Sequence, residues 1–195
     1  MADVIDLPAR HSPFASLFTE TPSDAPAGIT IAARTLDQVQ VDCDPARAGG
    51  IALPLPAAGS AQSHADMRLL NLAPGRWMVV ARGAPDLAVR VAGLCGDTGA
   101  AVVEQGHGRA TLRLSGPAVR AVLAKGTGVD LHPRTLAVDS VVSTALFHVA
   151  VTIDRRRRPS IFDIHMPRGY ARSLAERLID AGRQYGVRIE GQGQT

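Results

Sequence analysis

Three stretches of this chain carry the same order of signals: two strand-like runs, then a helix that opens near a proline and stops at a glycine. In the first, strands over 67–72 and 77–81 flank Pro74 and Gly75, the composition of a hairpin turn. Pro85 and Asp86 suit the first turn of the helix that follows. Leu87, Val91, Leu94 and Cys95 share one of its faces, and Gly96 ends it. In the second, strands over 100–103 and 111–114 bracket a turn holding His107 between Gly106 and Gly108. Ser115, Gly116 and Pro117 then open a helix carrying Val119, Val122 and Leu123, with Lys125 in its last turn and Gly126 after it.

The third unit is the longest. Alternation from 141 to 153 predicts one long strand with His148 on its wetter face. The run Arg155, Arg156, Arg157 and Arg158 supplies a turn, and Phe162, Ile164 and Met166 alternate with Asp163 and His165 in the next strand. Pro167 begins a helix with an apolar stripe of Tyr170, Leu174, Leu178, Ala181 and Tyr185, interrupted by Gly182 and ended by Gly186. Repeated strand–strand–helix units predict an α+β fold, a largely antiparallel sheet with helices on one face.

Around these units, 29–188 reads as a single domain. An extended arm over 1–28 precedes it and a tail over 189–195 follows. Pro8, Pro13, Pro22 and Pro26 keep the arm from folding alone, yet Phe14, Leu17 and Phe18 place three large apolar side chains within it. Such a cluster predicts either a docking element for a partner or a segment folded back on its own sheet. Residues 43–65 read as a loop with one short helical turn.

Catalytic patterns are missing. The sequence has no Gly-x-Ser-x-Gly elbow, no His-Glu-x-x-His and no phosphate loop ending in Gly-Lys-Ser/Thr. Gly126 and Gly128 begin a dinucleotide fingerprint, but Leu131 stands where the third glycine belongs. Cys43 and Cys95 have no zinc-like neighbours. His11 and His64 fall in coil. Asp163 and His165 share a strand face, either as an acid–base pair or as exposed alternation. His132, beside Leu131, Pro133 and Arg134, is a loop histidine or part of a partner surface.

A net charge of +3 raises nucleic acid as a ligand, but Lys125 is the only lysine. The arginines scatter, except for the run at 155–158, which reads as a solvated turn. Aromatic residues, at 4%, are too few for single-strand stacking platforms. Asp3 and Asp6 in place of a basic start argue against a secretory signal, and the apolar runs fall far short of the ~20 residues of a bilayer span. These features predict a soluble cytoplasmic protein.

One block is distinctive in order and spacing: Arg113 to Pro117, then Val122, Leu123, Ala124, Lys125 and Gly126, then Val129, Asp130, Leu131, His132, Pro133 and Arg134. Together with Ser12 and Pro13, the segment from Leu72 to Trp77, and Pro167, Arg168 and Tyr170, it resembles the gamma subunit of heterotetrameric sarcosine oxidase. The resemblance spans about 12 to 187. It implies the aminomethyltransferase-like folate-binding fold of the glycine-cleavage T protein, without a working site.

It further implies a non-catalytic role in an assembly that demethylates sarcosine oxidatively to glycine. That reaction yields hydrogen peroxide and, with tetrahydrofolate, methylenetetrahydrofolate. FAD, FMN, NAD and folate sites are then expected on the large alpha and beta subunits and zinc on the delta subunit, with no catalytic, cofactor or metal residue in this chain. Two departures stand out. Thr127 replaces the cysteine usual after Lys-Gly, removing the one nucleophile available there. No acidic pair stands where folate-using relatives place one, although a stand-alone folate-binding protein or aminomethyltransferase of this fold remains the alternative reading. The contact residues expected for partner subunits are Phe14, Leu17, Phe18, Leu131, His132, Pro133 and Arg134.

Overall fold

The computed structural model describes residues 12–14, 27–156 and 160–190. In chain order the strands are β1 (Ile29–Arg34), β2 (Asp37–Asp42), β3 (Ala61–His64), β4 (Met67–Ala73), β5 (Arg76–Ala81), β6 (Ala101–Glu104), β7 (Arg109–Ser115), β8 (Val141–Leu146), β9 (Val149–Arg155), β10 (Ile161–Pro167) and β11 (Val187–Glu190). The helices are α1 (Leu87–Cys95), α2 (Val119–Leu123) and α3 (Ala171–Gly182). The expected α+β class, with largely antiparallel pairing, holds. The strands, however, divide between a six-stranded sheet ordered β11-β1-β7-β10-β9-β8 and a five-stranded sheet ordered β3-β4-β5-β2-β6.

Alternation along each strand decides what faces what. In the six-stranded sheet Ile29, Ile31, Leu112, Leu114, Ile153, Phe162 and Ile164 point to the side covered by α2 and α3 and form the larger core. In the five-stranded sheet Val39, Val41, Leu69 and Val79 point to α1. The remaining faces meet each other, so the layers run helix, sheet, sheet, helix. Between the sheets lie Leu70, Met78, Val80 and Val141, together with the polar residues described below.

Splitting the sheets separates two pairs of strands that are neighbours in sequence, one of them inside a repeating unit. β1 and β2 do not form a hairpin: β1 pairs with β7 and β11, while β2 pairs with β5 and β6. The second unit divides at the His107 turn, with β6 in one sheet and β7 in the other. β7 is buried along most of its length and takes a partner on either side, whereas the largely exposed β6 serves as an edge.

The long strand expected over 141–153 is a hairpin of β8 and β9, turned at Phe147 and His148. Both turn residues have positive φ, 48° and 67°. Tight hairpins of this kind usually advertise themselves by Asn-Gly or Asp-Gly, which is why the turn was hidden. Tertiary contact holds it instead. The Phe147 amide donates to the Gly126 carbonyl at 2.8 Å, and a Cβ on Gly126 would meet the Phe147 ring at 2.6 Å.

Other expectations are corrected locally. Of the two readings of the arm, docking on a partner or folding back, Phe14 follows the second, at 2% exposed and within the larger core, while Leu17 and Phe18 lie outside the described residues. The region expected as loop includes β3, whose polar sequence gave no strand signal but pairs at the edge with β4. Tyr170 is 56% exposed, and the buried stripe of α3 is Ala171, Leu174, Ala175, Leu178 and Gly182. A Cβ on Gly182 would come within 2.8 Å of Val187 and 3.1 Å of Ile29, so glycine there admits close packing. The domain also runs past 188, because β11 pairs in parallel with β1 through Glu190.

Ser115 does not cap α2. It lies at the end of β7, opposite Thr30 and Ile161, and no side chain caps that helix. Gly116, at φ 116°, lets the chain turn tightly enough for the Ala118 amide to donate to the Gly28 carbonyl at 2.9 Å. Lys125 serves a neighbouring helix end. Its ammonium donates to the Ala181 carbonyl at 2.6 Å and lies over the Tyr185 ring.

Candidate functional site

The faces of β7, β9 and β10 turned toward the other sheet carry Thr111, Arg113, Thr152, Asp154, Asp163 and His165. Asp154 and Asp163 stand directly opposite each other across β9 and β10. Both are almost fully buried, at 0% and 2% exposed. Two like charges so placed require cations in contact. Arg68, from β4 of the opposing sheet, grips Asp154 with two hydrogen bonds, Nε to Oδ2 at 2.8 Å and Nη2 to Oδ1 at 2.6 Å. Its Nη1 also contacts Asp139 at 2.7 Å and donates to the Ser63 hydroxyl at 3.3 Å.

Arg113, paired in register with Asp163, makes the matching two-pronged contact at 2.7 and 2.8 Å. Arg156 lies more loosely against both carboxylates, 3.5 Å from Asp154 and 3.8 Å from Asp163. Burial pushes the Asp163 carboxyl up, but the Arg113 hydrogen bonds and the nearby positive charges outweigh it and hold the group below the usual carboxylate range. The Arg68 guanidinium is likewise pushed down by burial and brought above its ordinary value by Asp154 and Asp139. Ser63, Arg68, Arg113, Asp139, Arg156 and Ile161 line a cleft of about 200 Å³ over these pairs.

A second polar chain joins the sheets. Gln38 of β2 donates its amide N–H to the Thr111 hydroxyl at 3.3 Å, and that hydroxyl lies 3.0 Å from Nδ1 of His165. On the other side of the ring, His165 Nε2 is buried without a hydrogen-bond partner among the described residues. His165 is fully buried, and burial pushes its imidazole below the ordinary value, toward the neutral form.

Asp163 and His165 share a face as expected, but neither sequence reading of them holds. They are not exposed. Asp163 is committed to Arg113 and His165 to Thr111, inside a sheet–sheet interface where no substrate proton comes within reach. The arginine run is corrected too. Arg155 is 4% exposed and donates to the Pro133 carbonyl at 3.4 Å, and Arg156 joins the buried carboxylates; Arg157 and Arg158 lie outside the described residues.

The expected contact residues separate. Leu131 is buried in the larger core, as Phe14 is, so neither side chain is presented to a partner. His132, Pro133 and Arg134 are exposed together on one turn. Asp130 holds this turn, accepting the His132 amide at 2.8 Å and the Thr135 hydroxyl at 2.7 Å, and these bonds lower its carboxyl. The Arg134 amide donates to His132 Nδ1 at 3.2 Å, and Arg120 Nε donates to the Leu131 carbonyl at 3.1 Å. The result is a rigid projecting turn anchored at both ends.

Thr127 bonds the Thr144 hydroxyl at 3.2 Å and accepts the Val129 amide, a local structural role. Cys43 and Cys95 are buried thiols in the core under α1, and burial pushes the Cys95 thiol up. Among the described residues no group of three or more His, Cys, Asp or Glu is placed to hold a metal. No helix among them is long and apolar enough to cross a membrane.

A family model described as the sarcosine oxidase, gamma subunit family matches residues 41–183. The chain is 30% identical over 141 residues to the sarcosine oxidase subunit gamma of Corynebacterium sp. (strain P-1), covering 72% of this chain and 68% of that one. With the corresponding subunit of Arthrobacter sp. it shares 33% identity over 98 residues, 50% of this chain and 47% of the relative. Among solved structures, a chain of heterotetrameric sarcosine oxidase from Corynebacterium sp. U-96, in complex with pyrrole 2-carboxylate, superposes with a TM-score of 0.80 at 25% identity, over 90% of this chain and 96% of that chain. The glycine cleavage system aminomethyltransferase T from Bartonella henselae shares the fold, with a TM-score of 0.65 at 22% identity over 85% of this chain and 48% of that one.

Proposed function

The chain belongs to the sarcosine oxidase gamma subunit family, and on that premise we propose that it is a non-catalytic assembly subunit of a cytoplasmic heterotetrameric sarcosine oxidase. The complex demethylates sarcosine oxidatively to glycine, releasing hydrogen peroxide and, with tetrahydrofolate, methylenetetrahydrofolate. FAD, FMN, NAD and folate sit on the alpha and beta subunits and zinc on the delta subunit. This chain contributes a rigid scaffold to them.

The observation that carries this reading is the use made of the buried titratable groups. Asp163 and His165 look like acid–base machinery in sequence, and both are spent, with Asp154, on the buried polar layer between the two sheets. The exposed turn of His132, Pro133 and Arg134 is the surface we assign to a large subunit, with Leu17 and Phe18 as additional contacts. Its internal bonds fix its shape before binding, which lowers the ordering cost of docking.

Co-expression with the large flavoprotein subunits of a heterotetrameric sarcosine oxidase tests the proposal. The chain should co-purify with them, and leaving it out should reduce the yield of assembled, sarcosine-oxidising complex. Tight tetrahydrofolate binding by the isolated chain, with no association to flavoproteins, would favour a stand-alone folate-binding protein.

A further inference from the structure

We infer that the hollow lined by Arg34 and Arg109, beside the two places where the chain crosses between the sheets, is a seat for one carboxylate group. The crossovers bring Arg34 and Gln38 from one side and Arg109 from the other, with Phe14 and a third guanidinium, that of Arg168, in the same lining. Four of the arginines in or near the gap between the sheets fall into two kinds. Arg68 and Arg113 each hold a buried carboxylate, which keeps their guanidinium groups above the ordinary value. Arg34 and Arg109 hold none: among the described residues neither side chain makes a hydrogen bond or an ion pair.

Burial pushes the Arg109 guanidinium down with nothing to counter it. For Arg34, burial and the charges of Arg113 and Arg82 outweigh the pull of Asp163. A partly desolvated cation without a counter-ion is costly, and two lining one hollow more so, unless an anion completes the site. Gln38 supplies the second observation. It is 1% exposed, lines the same hollow, and leaves its amide oxygen without a partner. Amide oxygen and nitrogen exchange places by a half-turn of the side chain, so the same group can turn its N–H₂ toward an anion.

The planar fork of a guanidinium matches a carboxylate in two-pronged fashion, which selects the ligand class. The hollow, of about 40 Å³, has room for so small a group. Two sources can supply the group, a partner subunit's acidic side chain and a small free carboxylate. The site itself does not depend on the assembly role proposed above; only the choice between these sources does.

Sodium acetate is the probe, titrated into the full chain at ionic strength held constant with sodium chloride. Acetate should raise the melting temperature saturably. Arg109→Gln and Arg34→Gln should each weaken its apparent affinity roughly tenfold, the effect of losing a charged hydrogen-bonding partner. Arg172→Gln, on an exposed face of α3, should leave it unchanged. Acetate that no longer binds once the flavoprotein subunits are present identifies the source as a partner side chain. Acetate that binds the assembled complex equally well identifies a free carboxylate. A melting curve insensitive to acetate, or equally sensitive in wild type and both arginine variants, overturns the inference.

Discussion

The two faces of the six-stranded sheet are built by the same strands and hold the molecule together by opposite means. On the helix side Leu112, Leu114, Ile153, Phe162 and Ile164 pack without a polar atom among their side chains. One residue away along each strand, Arg113, Asp154, Asp163 and His165 form a buried ionic layer that binds the second sheet. The first face tolerates any apolar filling of similar volume. The second works only if each charge meets its partner, which makes it specific in register and vulnerable to single changes.

The largest expected effects weigh the faces against each other. Phe162→Ala should cost about 3–5 kcal/mol through lost burial and the cavity left behind. Asp154→Leu should cost a similar ~3–5 kcal/mol for a different reason, the stranding of Arg68 in the interface. The comparison breaks if the double variant Arg68→Met, Asp154→Leu is as unstable as Asp154→Leu alone. Replacing both charges by apolar groups should recover most of the loss, read by urea denaturation of the three variants side by side.

An intermediate effect separates the faces by pH. The His165 pKa is lowered on folding, so the unfolded chain takes up a proton first as pH falls. Stability is then intact above the unfolded histidine value of about 6.5 and declines below it. Asp163, also lowered on folding, adds a further loss below the ordinary carboxylate value near 4. His165→Gln should flatten the melting-temperature profile between about pH 7 and 5, while Leu112→Ala should lower it evenly across that range. The smallest effect is expected for Ser115→Ala, within about 0.5 kcal/mol, because its hydroxyl caps no helix.

How much of this was legible follows from which face carried the signal. Apolar alternation singled out Phe162, Ile164 and Met166 of the larger core, and Leu174 and Leu178 were read correctly from helical spacing. Alternation says nothing about what lies on the other side of a sheet. Asp163 and His165 were placed on one face, but solvent and a second sheet are equivalent to a period of two. Arg68 lies between Met67 and Leu69, and Arg113 between Leu112 and Leu114. A charge inside an otherwise apolar central strand was the available sign of a buried ion pair. The Phe147–His148 turn left no such sign, because its positive φ values are enforced by packing against Gly126 and not by residue type. Among the contact residues, Leu131 and Phe14 were apolar for their own core, while His132, Pro133 and Arg134 are displayed.

The claim at the centre of this account is that the buried ionic layer is structural and does no chemistry. The most direct test is the rate of sarcosine-dependent peroxide formation per assembled complex, measured with Asp163→Asn in this chain. Because Asp163 meets only Arg113, Arg156 and its neighbours inside the interface, the variant should melt at a lower temperature, and the complexes that do assemble should turn over at the wild-type rate. A rate reduced by an order of magnitude or more in fully assembled complex would place Asp163 in the reaction and contradict the account.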